Sequence, residues 1–195
     1  MRIARTSGWR PVATGLLAAL LSIGAAAGPP SDGILETKVT RKGRVLQVRA
    51  ALAAQAPATL CYSVLADFDH LEQFVPGLVS SEVISAPGEP IVLHQVGKAS
   101  AGPFDYTLDV TLAVREAPPR TIEFDRVAGN LRQMKGSWTV AGDVAHCNVT
   151  YLADIETAFW VPPLVGPVLM RKRVQMQFEG VLQEIQRRLP PRDSP

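Results

Sequence analysis

The stretch DFDHLEQFVPGLVSSEVIS, residues 67–85, changes its period in the middle. Up to Phe74 it is helix-compatible, mixing acidic and aromatic residues. Pro76-Gly77 then ends the helix, because proline lacks the N–H that would continue the ladder and its ring clashes with the preceding turn. From Val79 to Ser85 the residues read as a strand. The fold follows from what precedes this break and what the sheet beyond it encloses.

Upstream, Arg44 to Ala54 reads as a first strand, with Leu46, Val48, Ala50 and Leu52 on one face. Pro57 opens a helix at a position where its missing N–H costs little. Leu60, Cys61, Val64, Leu65 and Phe68 line one side of that helix, and the chain turns near Asp69. Downstream, strand patterns cover Ile91–Lys98, Phe104–Arg115, Thr121–Val127, Leu131–Val140 and Cys147–Ile155. Their connections are short and rich in Gly, Pro, Asp and Asn, as antiparallel hairpins require. Phe104, Tyr106, Leu108, Val110 and Leu112 alternate with Asp105, Thr107, Asp109 and Thr111, so one face is dry and the other wet.

A long helix must cover the dry face. After Pro162-Pro163 the residues Val174, Phe178, Val181, Leu182, Ile185 and Leu189 recur at helical spacing, opposite Gln175, Gln177, Glu179, Glu184 and Arg188. A helix of this kind across a curved antiparallel sheet of about seven strands makes an α+β domain.

The chain ends differ from this pattern. Residues 1–27 combine Arg2, Arg5 and Arg10, the charge-free apolar run Val12–Ile23, and the small residues Ala25-Ala26-Ala27. The run is short for a membrane span of roughly 20 apolar residues, and the arrangement favours a cleaved secretory signal over a retained anchor. The expected location is the periplasm, with the extracellular side as the alternative. Residues 28–43 read as a tether or an extra strand, 44–189 as the domain, and 190–195 as a polar tail. Removing the first 27 of 195 residues leaves 168, enough for one domain. The leader holds three of the 20 basic residues and none of the 18 acidic ones, so the remainder is close to neutral. Without a basic excess, nucleic-acid binding loses its electrostatic basis. Cys61 and Cys147 are the only cysteines. They either pair, as an oxidising compartment allows, or stay two buried thiols. No metal-ligand set surrounds them.

The order strand, two short helices, six strands and one long helix resembles the helix-grip fold of the SRPBCC or START-like superfamily. Within it, the chain is most similar to the polyketide cyclase and coenzyme Q-binding START-domain group. The stretches that carry the likeness are LADFDHLEQFVPGLVSSEVI (65–84), GNLRQMKGSWTV (129–140) and VTYLADIE (149–156), followed by the Pro-rich entry to the last helix. The resemblance implies an apolar tunnel between sheet and helix and a hydrophobic ligand such as a lipid or an isoprenoid quinone. No cofactor is expected. A secretory leader is a departure from the group's many intracellular members.

The candidate tunnel wall consists of Phe104, Tyr106, Phe124, Met134, Trp138 and Tyr151, all in the inward phase, with Met170 and Met176 from the helix. Gln95, Arg126 and Arg132 are polar candidates for a head-group site; the alternative is that the arginines emerge into water at the rim. Gly136, two residues before Trp138, leaves room for a ligand or for the indole, unless it marks a bulge. Arg171-Lys172-Arg173 either approaches an anionic membrane surface transiently or forms a solvated face. His70, His94 and His146 belong to no HExxH, GxSxG or phosphate-loop motif. Three functions remain: carriage of a hydrophobic ligand, a cyclase or aromatase in which Tyr106, Tyr151 or Arg132 orients a polyketide, or an interaction module with a filled core.

Overall fold

The alternation read from Phe104 onward becomes antiparallel pairing along the whole sheet. The computed structural model describes residues 32–101, 104–158 and 165–191. Its strands are β1 (Gly33–Lys42), β2 (Val45–Ala54), β3 (Leu78–Val83), β4 (Val92–Ala101), β5 (Phe104–Ala117), β6 (Thr121–Gly129), β7 (Leu131–Gly142) and β8 (Cys147–Thr157). The helices are α1 (Ala58–Leu65), α2 (Leu71–Phe74) and α3 (Val165–Arg188), with a 3-10 turn at Phe68–His70 before α2. The sheet order is β1-β2-β8-β7-β6-β5-β4-β3, and every neighbouring pair is antiparallel. This is the expected α+β helix-grip architecture.

The described residues form eight strands rather than about seven. The additional one is β1, which returns on β2 through a two-residue Gly43-Arg44 turn, with Lys42 opposite Val45. It is an edge strand with no fully buried residue, so its alternation is weak. Residues 1–31, where the leader is expected, lie outside the described residues, as do Pro162-Pro163 and residues 192–195.

One end of the domain is closed tightly. The Ala58 N–H, left free at the start of α1, donates to the Asp143 carbonyl in the β7–β8 hairpin at 2.8 Å. Cys61 on α1 is disulfide-bonded to Cys147 at the start of β8. Tyr62 donates to the Glu116 carboxylate at 2.7 Å, which ties α1 to the end of β5. Beneath these, Leu52, Val64, Val149, Phe178, Val181 and Ile185 are buried almost completely.

The opening stretch becomes the hinge between α1 and the sheet, and it also grips α3. The Asp69 carboxylate accepts the Val83 N–H at 2.7 Å, holding the turn to β3. Asp67 accepts from Arg188 of α3 at 2.6 Å, and the Arg188 guanidinium lies over the Phe74 ring at 5.8 Å from its centroid. Gly180 lets α3 approach the Phe74 carbonyl and Pro76, whose Cδ would lie 2.8 Å from an added Cβ. Glu184, placed on the wet face by its spacing, is in fact buried. It holds Arg187 and Arg188, each at 2.6 Å. Hydrogen bonds from Arg187, opposed by burial and reinforced by Arg188, bring its carboxyl down to about 2.

Candidate functional site

On β5 the residues Leu108, Val110, Leu112 and Val114 stand two apart and face α3 between Met170 and Val181. On α3 the facing positions are Met170, Arg173, Val174, Gln177 and Val181, which follow helical spacing. These two rows do not interdigitate. Between them lies a cavity of about 190 Å³, closed at one side by Leu65, Phe68, Leu71, Val75 and Leu78 of the hinge stretch and its flanks. The break at Pro76-Gly77 therefore places one wall of the cavity.

The far wall is aromatic. Trp138 lies 4.4 Å from Tyr151 and 5.4 Å from Phe178, centroid to centroid, and Phe124 stacks on Tyr151 at 5.9 Å. Burial pushes the Tyr151 phenol above its ordinary range, so it stays a neutral donor. It has no hydrogen-bond partner among the described residues. Gln95, Thr157, Arg173 and Gln177 are the other polar lining groups. Gln95 donates to Ser81 at 3.0 Å. Among the described lining residues Arg173 alone is charged.

Of the residues expected in the wall, Gln95, Phe124, Met134, Trp138, Tyr151 and Met170 line the cavity. The side chain of Phe104 lies outside the described residues. Tyr106 continues the β5 row past Leu108, is half-buried, and is not among the lining residues. Met176 is half-buried and also outside the lining.

Arg132 does not face the cavity. A bulge between Leu131 and Gln133 reverses the phase at the start of β7. Leu131 and Met134 therefore both point inward, and Arg132 is turned out to a side-chain exposure of 54%, 3.9 Å from Glu156. Arg126 donates to the Gly129 carbonyl at 2.9 Å and is likewise absent from the lining. Gly136 makes no room for a ligand. An added Cβ there would meet the Phe124 ring at 2.7 Å, and the backbone of Leu152 and Ala153 as well. The space belongs to internal packing.

The basic triplet divides. Arg171 and Lys172 are exposed, whereas Arg173 is half-buried and lies at the cavity's Gly77 corner, donating to the Gly77 carbonyl at 2.7 Å. Gly77 has a φ of 78°, in the left-handed region, and any side chain there would collide with the guanidinium. Desolvation lowers the Arg173 pKa from its ordinary value. Reading residues 171–173 as one charged run concealed this position. Its signal was its spacing, three residues after Met170 and four before Gln177.

The histidines lie elsewhere. His94 sits 3.2 Å from Asp109, His70 2.6 Å from Asp67, and His146 3.9 Å from Asp143, all outside the lining. The described residues contain no cluster of metal-ligating side chains. What the cavity offers chemically is apolar surface, a few neutral donors, and one cation.

Residues 54–179 match the family model described as polyketide cyclase/dehydrase and lipid transport. The chain belongs to this family. No curated protein sequence matches it. Among solved structures, it is similar to the Zhui aromatase/cyclase from Streptomyces sp. R1128, at 18% identity and a TM-score of 0.64, covering 75% of this chain and 97% of that one. It is similar to a START superfamily protein from Mycobacterium smegmatis, at 14% identity and a TM-score of 0.63, covering 72% and 97%. A STAR-related lipid transfer protein fragment from Xanthomonas axonopodis follows at 15% identity and 0.58, covering 77% and 98%. At these identities the likeness shows the fold. Family and fold together fit hydrophobic-ligand binding or polyketide cyclisation.

Proposed function

We propose that this protein binds and carries a hydrophobic ligand, a lipid or an isoprenoid quinone, in the cavity between α3 and the sheet, and that it does so after export to the periplasm. The observation that carries this reading is the cavity itself, walled mainly by aliphatic and aromatic side chains from six strands, α3 and the hinge stretch. The Cys61–Cys147 disulfide supports an oxidising compartment, and the leader-like residues 1–27 support export. Exposed Arg171 and Lys172, beside Val168 at 69% exposure, support a transient approach to an anionic membrane surface during loading.

The structural likeness to an aromatase/cyclase keeps an enzymatic reading in view. Of the three residues considered for it, only Tyr151 lines the cavity. Carriage is the better supported function. Organic extraction of the purified protein followed by mass spectrometry tests it. A stoichiometric apolar compound, diminished by Leu108→Trp, is expected; an empty protein that binds no lipid or quinone on titration would overturn it.

A further inference from the structure

Arg173 carries an inference about what kind of ligand the cavity takes. Its guanidinium has five N–H donors, and among the described residues it has one acceptor, the Gly77 carbonyl. It forms no ion pair among the described residues, and no carboxylate belongs to the described cavity lining. The neighbouring cations Arg171 and Lys172 stand in water, two residues and one residue away on the same helix. A half-buried guanidinium with one acceptor keeps unmet N–H donors and an unpaired charge, which water or an anion must meet.

The surroundings are shaped for it. Gly77 lacks the side chain that would take its place, and a Cβ added at Gly97 would lie in ordinary contact with the Arg173 guanidinium, at 3.4 Å. The Gly77 carbonyl that accepts from Arg173 also accepts from the Lys98 N–H, so the corner is fixed by the strand pairing. Gln177 stands one turn further along α3, and Gln95 lies two residues before Gly97 on the same face of β4. The polar groups Gln95, Arg173 and Gln177 thus gather at one corner, and the aliphatic β5 row and the aromatic wall account for most of the rest.

We infer that the ligand is an anionic amphiphile, with its apolar body in the cavity and a carboxylate or phosphate head paired with Arg173. This inference rests on the carriage reading and narrows it, since a neutral quinone would leave the guanidinium without a counter-ion. The bidentate geometry of an arginine fork suits either head group.

Titration calorimetry of the purified protein with dodecanoate, dodecyl phosphate, 1-dodecanol and inorganic phosphate tests it, with Arg173→Gln and Arg173→Lys alongside. The wild type is expected to bind an anionic amphiphile at least about tenfold tighter than the alcohol, the range for a hydrogen bond to a charged group. Arg173→Gln is expected to bring that ratio close to one, and Arg173→Lys to keep only part of it, since the charge stays but the two-pronged fork is lost. If Arg173→Gln does not fold, the wild-type ratio and the lysine variant still decide. Equal binding of acid and alcohol by the wild type overturns the anionic head while leaving carriage intact. Binding of none of the amphiphiles overturns both. Saturable binding of inorganic phosphate that depends on Arg173 identifies a free-anion site and also overturns the proposal.

Discussion

The two halves of α3 cover the same sheet with opposite results. The C-terminal half is packed: Phe178 and Ile185 are fully buried, and α3 lies against the alanine-rich β2, where Ala50, Ala53 and Ala54 are also buried. The N-terminal half stands off from β5, and its Met170, Arg173 and Gln177 look into a cavity. Small strand residues and Gly180 let one end of the helix settle. At the other end Arg173 holds the helix to Gly77 by a polar contact rather than by interdigitation. In this domain, filling or hollowness therefore follows side-chain volume on the helix and the facing strands, while the architecture stays the same.

The disulfide is the strongest test of the closed end. It spans 86 residues, and loop-closure entropy predicts that Cys61→Ser costs about 4–5 kcal/mol. Urea denaturation of variant and wild type measures it; a loss under about 1 kcal/mol would contradict the clamp. Phe178→Ala in the packed half should cost about 3–5 kcal/mol. Met170→Ala, half-buried beside existing empty space, should cost about 1 kcal/mol or less, because fewer contacts are lost there. Equal losses would erase the distinction between the two halves.

Acid adds a smaller effect. The folded pKa of Glu184 lies below its ordinary value of 4.5, at about 2. Its contribution is therefore fully present above about 4.5 and is lost as pH falls toward 2. Asp67 acts in the same direction: burial opposes its ionisation, but hydrogen bonds from His70 and Arg188 outweigh that and lower its pKa. With Arg187 largely in water, the Glu184 share is roughly 1–3 kcal/mol. Glu184→Gln should flatten the stability curve between pH 4.5 and 2, as followed by thermal melts. An unchanged slope would show that the cluster contributes nothing.

Much of the fold was legible because alternation and helical spacing are long-range patterns that single residues rarely overturn. The Pro76-Gly77 break and the long helix were both visible on these grounds. β1 was ambiguous because an edge strand of Glu, Thr, Lys and Arg buries little, so periodicity says little about it. The cavity wall was partly legible for the same reason: Phe124, Trp138 and Tyr151 follow the inward phase without interruption. Arg132 failed where a single extra residue shifted the phase, a backbone event set by pairing with β8 that no residue type announces. Arg173 was hidden by charge, since a basic triplet reads as solvated unless each member is placed on the helix separately.

The most direct test of the hollow half is an experimental structure of the purified protein with a bound ligand. The account predicts ligand density between β5 and α3, with the apolar part against Phe124, Trp138 and Tyr151 and the polar end at Arg173. A cavity closed by repacked side chains, or a ligand held only on the outer face of the sheet, would contradict it.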